Sequence, residues 1–214
     1  MSKFGITPRG ASQHTFARVP QIEIQRSTFK RNRNYKTTFN AGWLIPFFLD
    51  EVLPGDTFKT NVTMLVRLAT PLKPFMDNLY VDTHFFFVPN RLVWNNWERF
   101  QGAQDDPDDS TDFVVPKVVS TSGTGWLYGS VADYFGIPTG IQTLDANALP
   151  FRGYNLIWNE WFRDQNIQDS LQVPKGDGTD LSTIYEIRRR GKRHDYFTSC
   201  LPWPQKGPSV TFVS

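Results

Sequence analysis

The run YNLIWNEWFRDQNIQDSL, Tyr154 to Leu171, places Tyr154, Ile157, Trp158, Trp161 and Phe162 at i, i+3, i+4, i+7 and i+8. That spacing predicts an amphipathic helix with an apolar stripe about 100° wide. Asn155, Asn159, Glu160, Arg163 and Asp164 fill the rest of the turn. The stripe is almost all large rings, so the helix is expected to clamp against a substantial body.

Upstream, GSVADYFGIP (Gly129 to Pro138) reads as a shorter helix, with Ser130 as N-cap, Asp133 in the capping-box position and Gly136 as terminator. Further back the period changes. Phe58, Thr60, Val62, Met64, Val66 and Leu68 alternate with Lys59, Asn61, Thr63, Leu65 and Arg67, which predicts a long strand with one apolar face. The turn Pro54-Gly55-Asp56 precedes it, and Pro71 and Pro74 break it. Leu79 to Val88 predicts a second strand. Its Phe85-Phe86-Phe87 implies that both faces are covered near one end, and His84 within it reads as a hydrogen-bonded core residue. Asn90 is placed to cap a short helix carrying Trp94 and Trp97. Long strands with short helices in long connections point to a mainly β chain, a β-sandwich with elaborated loops.

A chain of 214 residues can bury one sizeable core. Aromatic residues make up 15% of it, 18 of them Phe. The single cysteine, Cys200, cannot form an internal disulfide, which is compatible with a reducing compartment. No apolar run approaches a membrane span, and the N-terminus lacks a secretory core. The net charge is +2, unevenly spread. Residues 1–36 hold eight cations against Glu23 alone, a local +7, which leaves −5 for the remainder. Residues 1–38 thus read as a basic, extended arm, and residues 39–214 as the body. A basic arm on a mildly acidic body suits contact with nucleic acid or an acidic neighbour.

Catalytic signatures are missing: no G-x-S-x-G, H-E-x-x-H, CxxC or phosphate-binding loop occurs. Gly123, Gly125 and Gly129 miss the dinucleotide spacing and read as a flexible loop. Asp105, Asp106, Asp108, Asp109 and Asp112 fail the EF-hand test, because Phe113 and Val119 stand where glycine and glutamate are required. His14, His84 and His194 are too scattered for a metal site, and Cys200 with His194 lacks an orienting third group. No cofactor and no metal is expected. A second basic cluster, Arg188, Arg189, Arg190, Lys192 and Arg193, offers five cations in six residues, flanked by Tyr185 and Tyr196. It suits phosphate contact with base stacking. An inter-subunit salt-bridge strip or a solvated turn around Gly191 fits the same residues.

Five runs, in order, resemble the major capsid proteins of the Microviridae, small single-stranded DNA bacteriophages, and within them the gokushovirus branch. They are FNAGWLIPFFLDEVLPGDTFK (Phe39 to Lys59), VTMLVRLATPLKPFMDNLYVDTHFFFVPNRLVWNNWERFQG (Val62 to Gly102), GIPTG (Gly136 to Gly140), the Tyr154 to Leu171 run, and DYFTSCLPWPQKG (Asp195 to Gly207). Proteins of that family are considerably longer, so the chain resembles their N-terminal part. The resemblance implies a viral jelly-roll β-sandwich, partial in this chain, with long insertions carrying short helices. It implies a homo-oligomeric T=1 icosahedral shell around circular single-stranded DNA, assembled in a bacterial host's cytoplasm. A small basic internal virion protein and a host receptor on exposed loops are further implied partners; a membrane is not.

On this reading Trp94, Trp97, Trp158, Trp161 and Phe162 hold the long loops or fill interfaces. Arg31, Arg33, Lys36, Arg188, Arg189, Arg190, Lys192 and Arg193 are the candidates for contact with DNA or the internal protein. Two other classes fit parts of the chain. A non-viral single-stranded nucleic-acid-binding β-module explains the basic arm, and a sugar-binding β-sandwich uses the tryptophans as stacking surfaces.

Overall fold

The structure is a computed structural model that describes residues 25–107, 113–121, 123–191, 193, 195–197 and 200. It divides into two units, residues 1–35 and 36–214. In the first, residues 25–35 carry no regular secondary structure and are exposed.

In the second unit, regular structure gathers between Asn90 and Ile184. A 3-10 turn, Asn90–Leu92, leads to α1 (Trp97–Phe100). Then come β1 (Lys117–Val119), α2 (Val131–Tyr134), β2 (Asp145–Asn147), α3 (Leu149–Ile157) and β3 (Thr179–Asp180). Among the described residues the strands form one small mixed sheet, ordered β2-β1-β3. β1 runs antiparallel to β2, with Val118 opposite Ala146, and parallel to β3, with Val118 opposite Asp180. Val118, on the central strand, is fully buried. The small sheet and few helices are compatible with a capsid β fold.

α3 joins two cores. Phe151 faces a cluster of Val118, Trp126, Val131, Ala132, Ala148 and Tyr185. Leu149 packs with Val93 and Trp94 in the other. Pro150 in the first turn lacks only an N–H that has no helical partner there, and Asn147 Oδ1 accepts the Leu149 N–H at 2.9 Å. α2 starts as its sequence indicates. Ser130 Oγ accepts the Asp133 N–H at 3.3 Å, and Asp133 reaches back to the Gly129 N–H at 2.8 Å. Gly136 ends the helix in the left-handed region, at φ 84°.

Several expectations require correction. The helix over Tyr154 to Leu171 starts earlier, at Leu149, and ends in a π-helical turn, Trp158–Phe162. Its buried face holds Phe151, Arg152, Asn155, Trp158 and Asn159, so two asparagines assigned to the polar face lie inside. They satisfy loop carbonyls: Asn155 Nδ2 donates to Gln172 O at 3.1 Å. Asn159 Nδ2 donates to Leu171 O at 2.9 Å, and its Oδ1 accepts the Leu171 N–H at 2.7 Å. The π turn also moves Trp161 off the buried stripe, leaving it 71% exposed.

Residues 58–68 and 79–88 carry no regular secondary structure and belong to no sheet. A strand needs a hydrogen-bonding neighbour, and among the described residues none runs beside them. Leu65 is 89% exposed, and Phe85 and Phe87 are exposed too. His84 is likewise exposed, its ring 5.5 Å from that of Phe162, rather than a core residue. Asn90 does not cap with its side chain; its carbonyl accepts the Val93 and Trp94 N–H groups at 3.1 and 2.9 Å.

Candidate nucleic-acid and subunit interface

The basic segment around Arg188 to Arg193 is held from below by α3 and its π turn. Tyr154 Oη donates to Leu44 O at 3.0 Å and accepts the Arg188 N–H at 2.9 Å. Burial pushes the Tyr154 hydroxyl up to about 12, so it stays protonated and keeps both roles. One turn on, Trp158 Nε1 donates to Arg189 O at 3.2 Å. The segment's backbone also pairs with residues 42–44: the Leu44 N–H donates to Arg188 O at 2.9 Å and the Arg190 N–H to Gly42 O at 2.8 Å. These bonds fix the backbone; Arg189 is exposed, whereas Arg188 and Arg190 are half-buried.

Each described arginine has a neighbour. Arg188 lies 3.4 Å from Glu186, and the Arg189 guanidinium sits 4.9 Å over the Trp43 ring. Arg190 Nη1 bonds Asp82 Oδ2. Arg193 Nη2 meets Asp82 Oδ1 and Oδ2 at 2.8 and 2.6 Å, and its guanidinium lies 4.8 Å over Tyr80. The hydrogen bonds from Arg193 and then Arg190 hold the Asp82 carboxyl below the usual carboxylate range. Lys192 lies outside the described residues, as do residues 108–112 of the acidic loop, His14, His194 and Trp203. Cys200 is a free, exposed thiol. Arg31 and Arg33 fall in the first unit and Lys36 in the second, all exposed and outside regular secondary structure.

The aromatic candidates divide. Trp94 is fully buried, and Trp97, Phe100 and Phe113 pack round it at 6.1, 5.3 and 6.2 Å between centroids. Its Nε1 donates to Asp177 Oδ1 at 2.6 Å, and Asp177 also takes Asn96 Nδ2 and the Val114 N–H. The Trp94 indole is the main cause that holds the Asp177 carboxyl below its ordinary value. Trp158 is buried, and Phe162 is half-buried against His84 and Phe86. Trp161 tilts against Phe86 at 5.7 Å on the wall of an open cavity of about 380 Å³ that also takes in Phe87, Leu156, Glu160 and Lys175. Trp94 and Trp158 are thus buried, Trp97 and Phe162 half-buried, and Trp161 exposed.

Sequence reasoning missed the acids that organise the region. Fully buried Arg152 donates from Nε and Nη2 to Asp180 at 2.7 and 2.8 Å, and to the carbonyls of Val93 and Gly176 at 2.9 Å each. Tyr185 Oη adds a 2.6 Å bond to Asp180. Burial pulls the Arg152 guanidinium down, but Asp180 outweighs it and holds the group above its usual value. Tyr185 is pushed up by its own burial and by Asp180. A cation between Phe151 and Gly153 on an apolar helix was the available signal, as was Asp82 inside LYVDTHFFFV.

Among the described residues no cluster of His, Cys, Asp and Glu could hold a metal ion, and no helix is long and apolar enough to cross a membrane. The chain matches the capsid protein (F protein) family over residues 17–213. It is 52% identical over 199 residues to capsid protein VP1 of Bdellovibrio phage phiMH2K, covering 93% of this chain and 37% of that protein. Against capsid protein VP1 of Chlamydia phage 1 the identity is 47% over 219 residues, covering 92% and 37%. Against capsid protein VP1 of Spiroplasma virus 4 it is 38% over 213 residues, covering 94% and 38%. The chain thus spans little more than a third of the length of these relatives.

Proposed function

Because the chain belongs to the phage capsid protein (F protein) family, we propose that it is the shell-forming part of a viral subunit that encloses a circular single-stranded DNA genome in a T=1 icosahedral particle. The observation that carries this is the family match across residues 17–213, with three phage capsid proteins matched over more than nine-tenths of the chain. The exposed apolar surface supports it. Phe58, Val62, Met64, Val66 and Leu68 are all exposed, more apolar surface than a self-sufficient monomer normally leaves uncovered. In the assembled subunit residues 58–68 and 79–88 become strands of a jelly roll. Copies of the chain meet through outward aromatics such as Trp161.

Arg31, Arg33, Lys36 and the Arg188 to Arg193 cluster contact the genome or a small basic internal protein. Phosphate contact of this kind is insensitive to base sequence. The chain resides in the virion, is assembled in the bacterial cytoplasm and presents receptor-binding loops outward. Nuclease treatment of native particles tests the enclosure. The expected result is single-stranded DNA that survives nuclease and also resists exonuclease after extraction. Particles without protected DNA would refute it.

A further inference from the structure

Asp82 sits where two guanidiniums converge. Arg190 and Arg193 both bond its carboxylate, and Arg193 spans both oxygens. Two cations on one acid leave a local charge of +1. The three side chains remain open to water, at 34% exposure for Asp82, 35% for Arg190 and 53% for Arg193. Ion pairs this exposed contribute little to stability, so a competing anion can displace one partner. The two sides are anchored unequally. Arg190 stands on backbone bonded to Gly42 and held beneath by Trp158 and Tyr154. Asp82 stands on a segment without regular secondary structure that, among the described residues, makes no backbone ladder. Tyr80, under Arg193, and Tyr196 both present exposed rings.

We propose that Arg190 and Arg193 form a phosphodiester-binding fork for single-stranded DNA, and that Asp82 occupies it as an internal stand-in until DNA displaces it. This deepens the genome-contact reading and rests on it. A carboxylate and a phosphodiester offer the same pair of anionic oxygens to a guanidinium fork. Displacement frees no new cation, so wild-type affinity is set by the exchange, and the exposed tyrosines supply stacking surfaces for unpaired bases.

The test titrates a labelled oligothymidylate into the whole capsid subunit that carries this chain, over a series of salt concentrations. It uses wild type, Asp82→Asn, Asp77→Asn as a charge-matched control on the same segment, and Asp82→Asn combined with Arg190→Gln and Arg193→Gln. Asp82→Asn is expected to tighten low-salt binding by on the order of tenfold and to steepen the log–log salt slope by about 0.7 per phosphate gained. Asp77→Asn is expected to leave the slope unchanged, and the triple variant to lose the gain. Equal effects of Asp82→Asn and Asp77→Asn, or a gain that survives loss of both arginines, would overturn the masking. Wild type that binds while Asp82→Asn matches it would remove the masking and leave the DNA reading standing. Failure of both to bind at low salt would remove both.

Discussion

At the scale of single residues, geometry decides what composition left open. Gly125 has φ 69°, and a Cβ there would lie 2.4 Å from Ile141 O, a backbone atom that cannot swing aside. Gly125→Ala is therefore expected to destabilise the body by more than the ~1 kcal/mol of an ordinary glycine site, read as a lower midpoint in urea unfolding. The sequence marked this stretch only as a loop, because a close backbone approach leaves no compositional trace. Asp82 gives a second expectation. Its carboxyl is held low, so its share of stability is present above the unfolded value, about 3.9, and is lost as pH falls through the lower folded value. Carboxyl NMR should show an Asp82 midpoint below the usual range, and Arg193→Gln should move it upward. An unshifted midpoint in wild type would mean that the ion pairs do not form in solution. Asp82 was visible in the sequence only as a polar residue in a strand pattern; its partners lie more than a hundred residues away, beyond what local spacing encodes.

At the scale of elements, α3 shows which part of an amphipathic reading holds. Its existence and aromatic content were legible, because a 3.6-residue period survives in sequence. The direction of its buried face was not. Arg152, Asn155 and Asn159 look like surface residues, yet each is buried and bonds to groups beyond its own helix, and the helix ends in a π turn that leaves Trp161 exposed. Arg152→Leu is expected to cost about 3–5 kcal/mol, since it strands the buried Asp180 carboxylate. Arg152→Met with Asp180→Asn should cost less than the sum of the two single changes, measured by denaturant unfolding. The tryptophans make the complementary case. Trp158→Ala is expected to lose about 3–5 kcal/mol, whereas exposed Trp161→Ala should leave stability within about 0.5 kcal/mol and instead reduce the yield of assembled particles. Equal destabilisation by both would place Trp161 inside the fold rather than at a contact.

At the scale of the whole molecule, apolar surface and missing strand partners point the same way. Alternation at 58–68 and the triple Phe at 79–88 predicted strands that the structure does not form, because such patterns record only that a segment suits a sheet, not which segment lies beside it. Exposed aliphatic side chains on both sides of Leu65 are costly in water, and neighbours in a shell would cover them. On the proposed function, this chain completes its fold and buries that surface within a closed shell. Cryo-electron microscopy of the native particle tests it most directly. The expected result is an icosahedral shell of identical subunits in which residues 58–68 and 79–88 are hydrogen-bonded strands and Trp161 lies at a subunit contact. A discrete monomer that binds DNA without assembling, with those segments still unpaired, would contradict it.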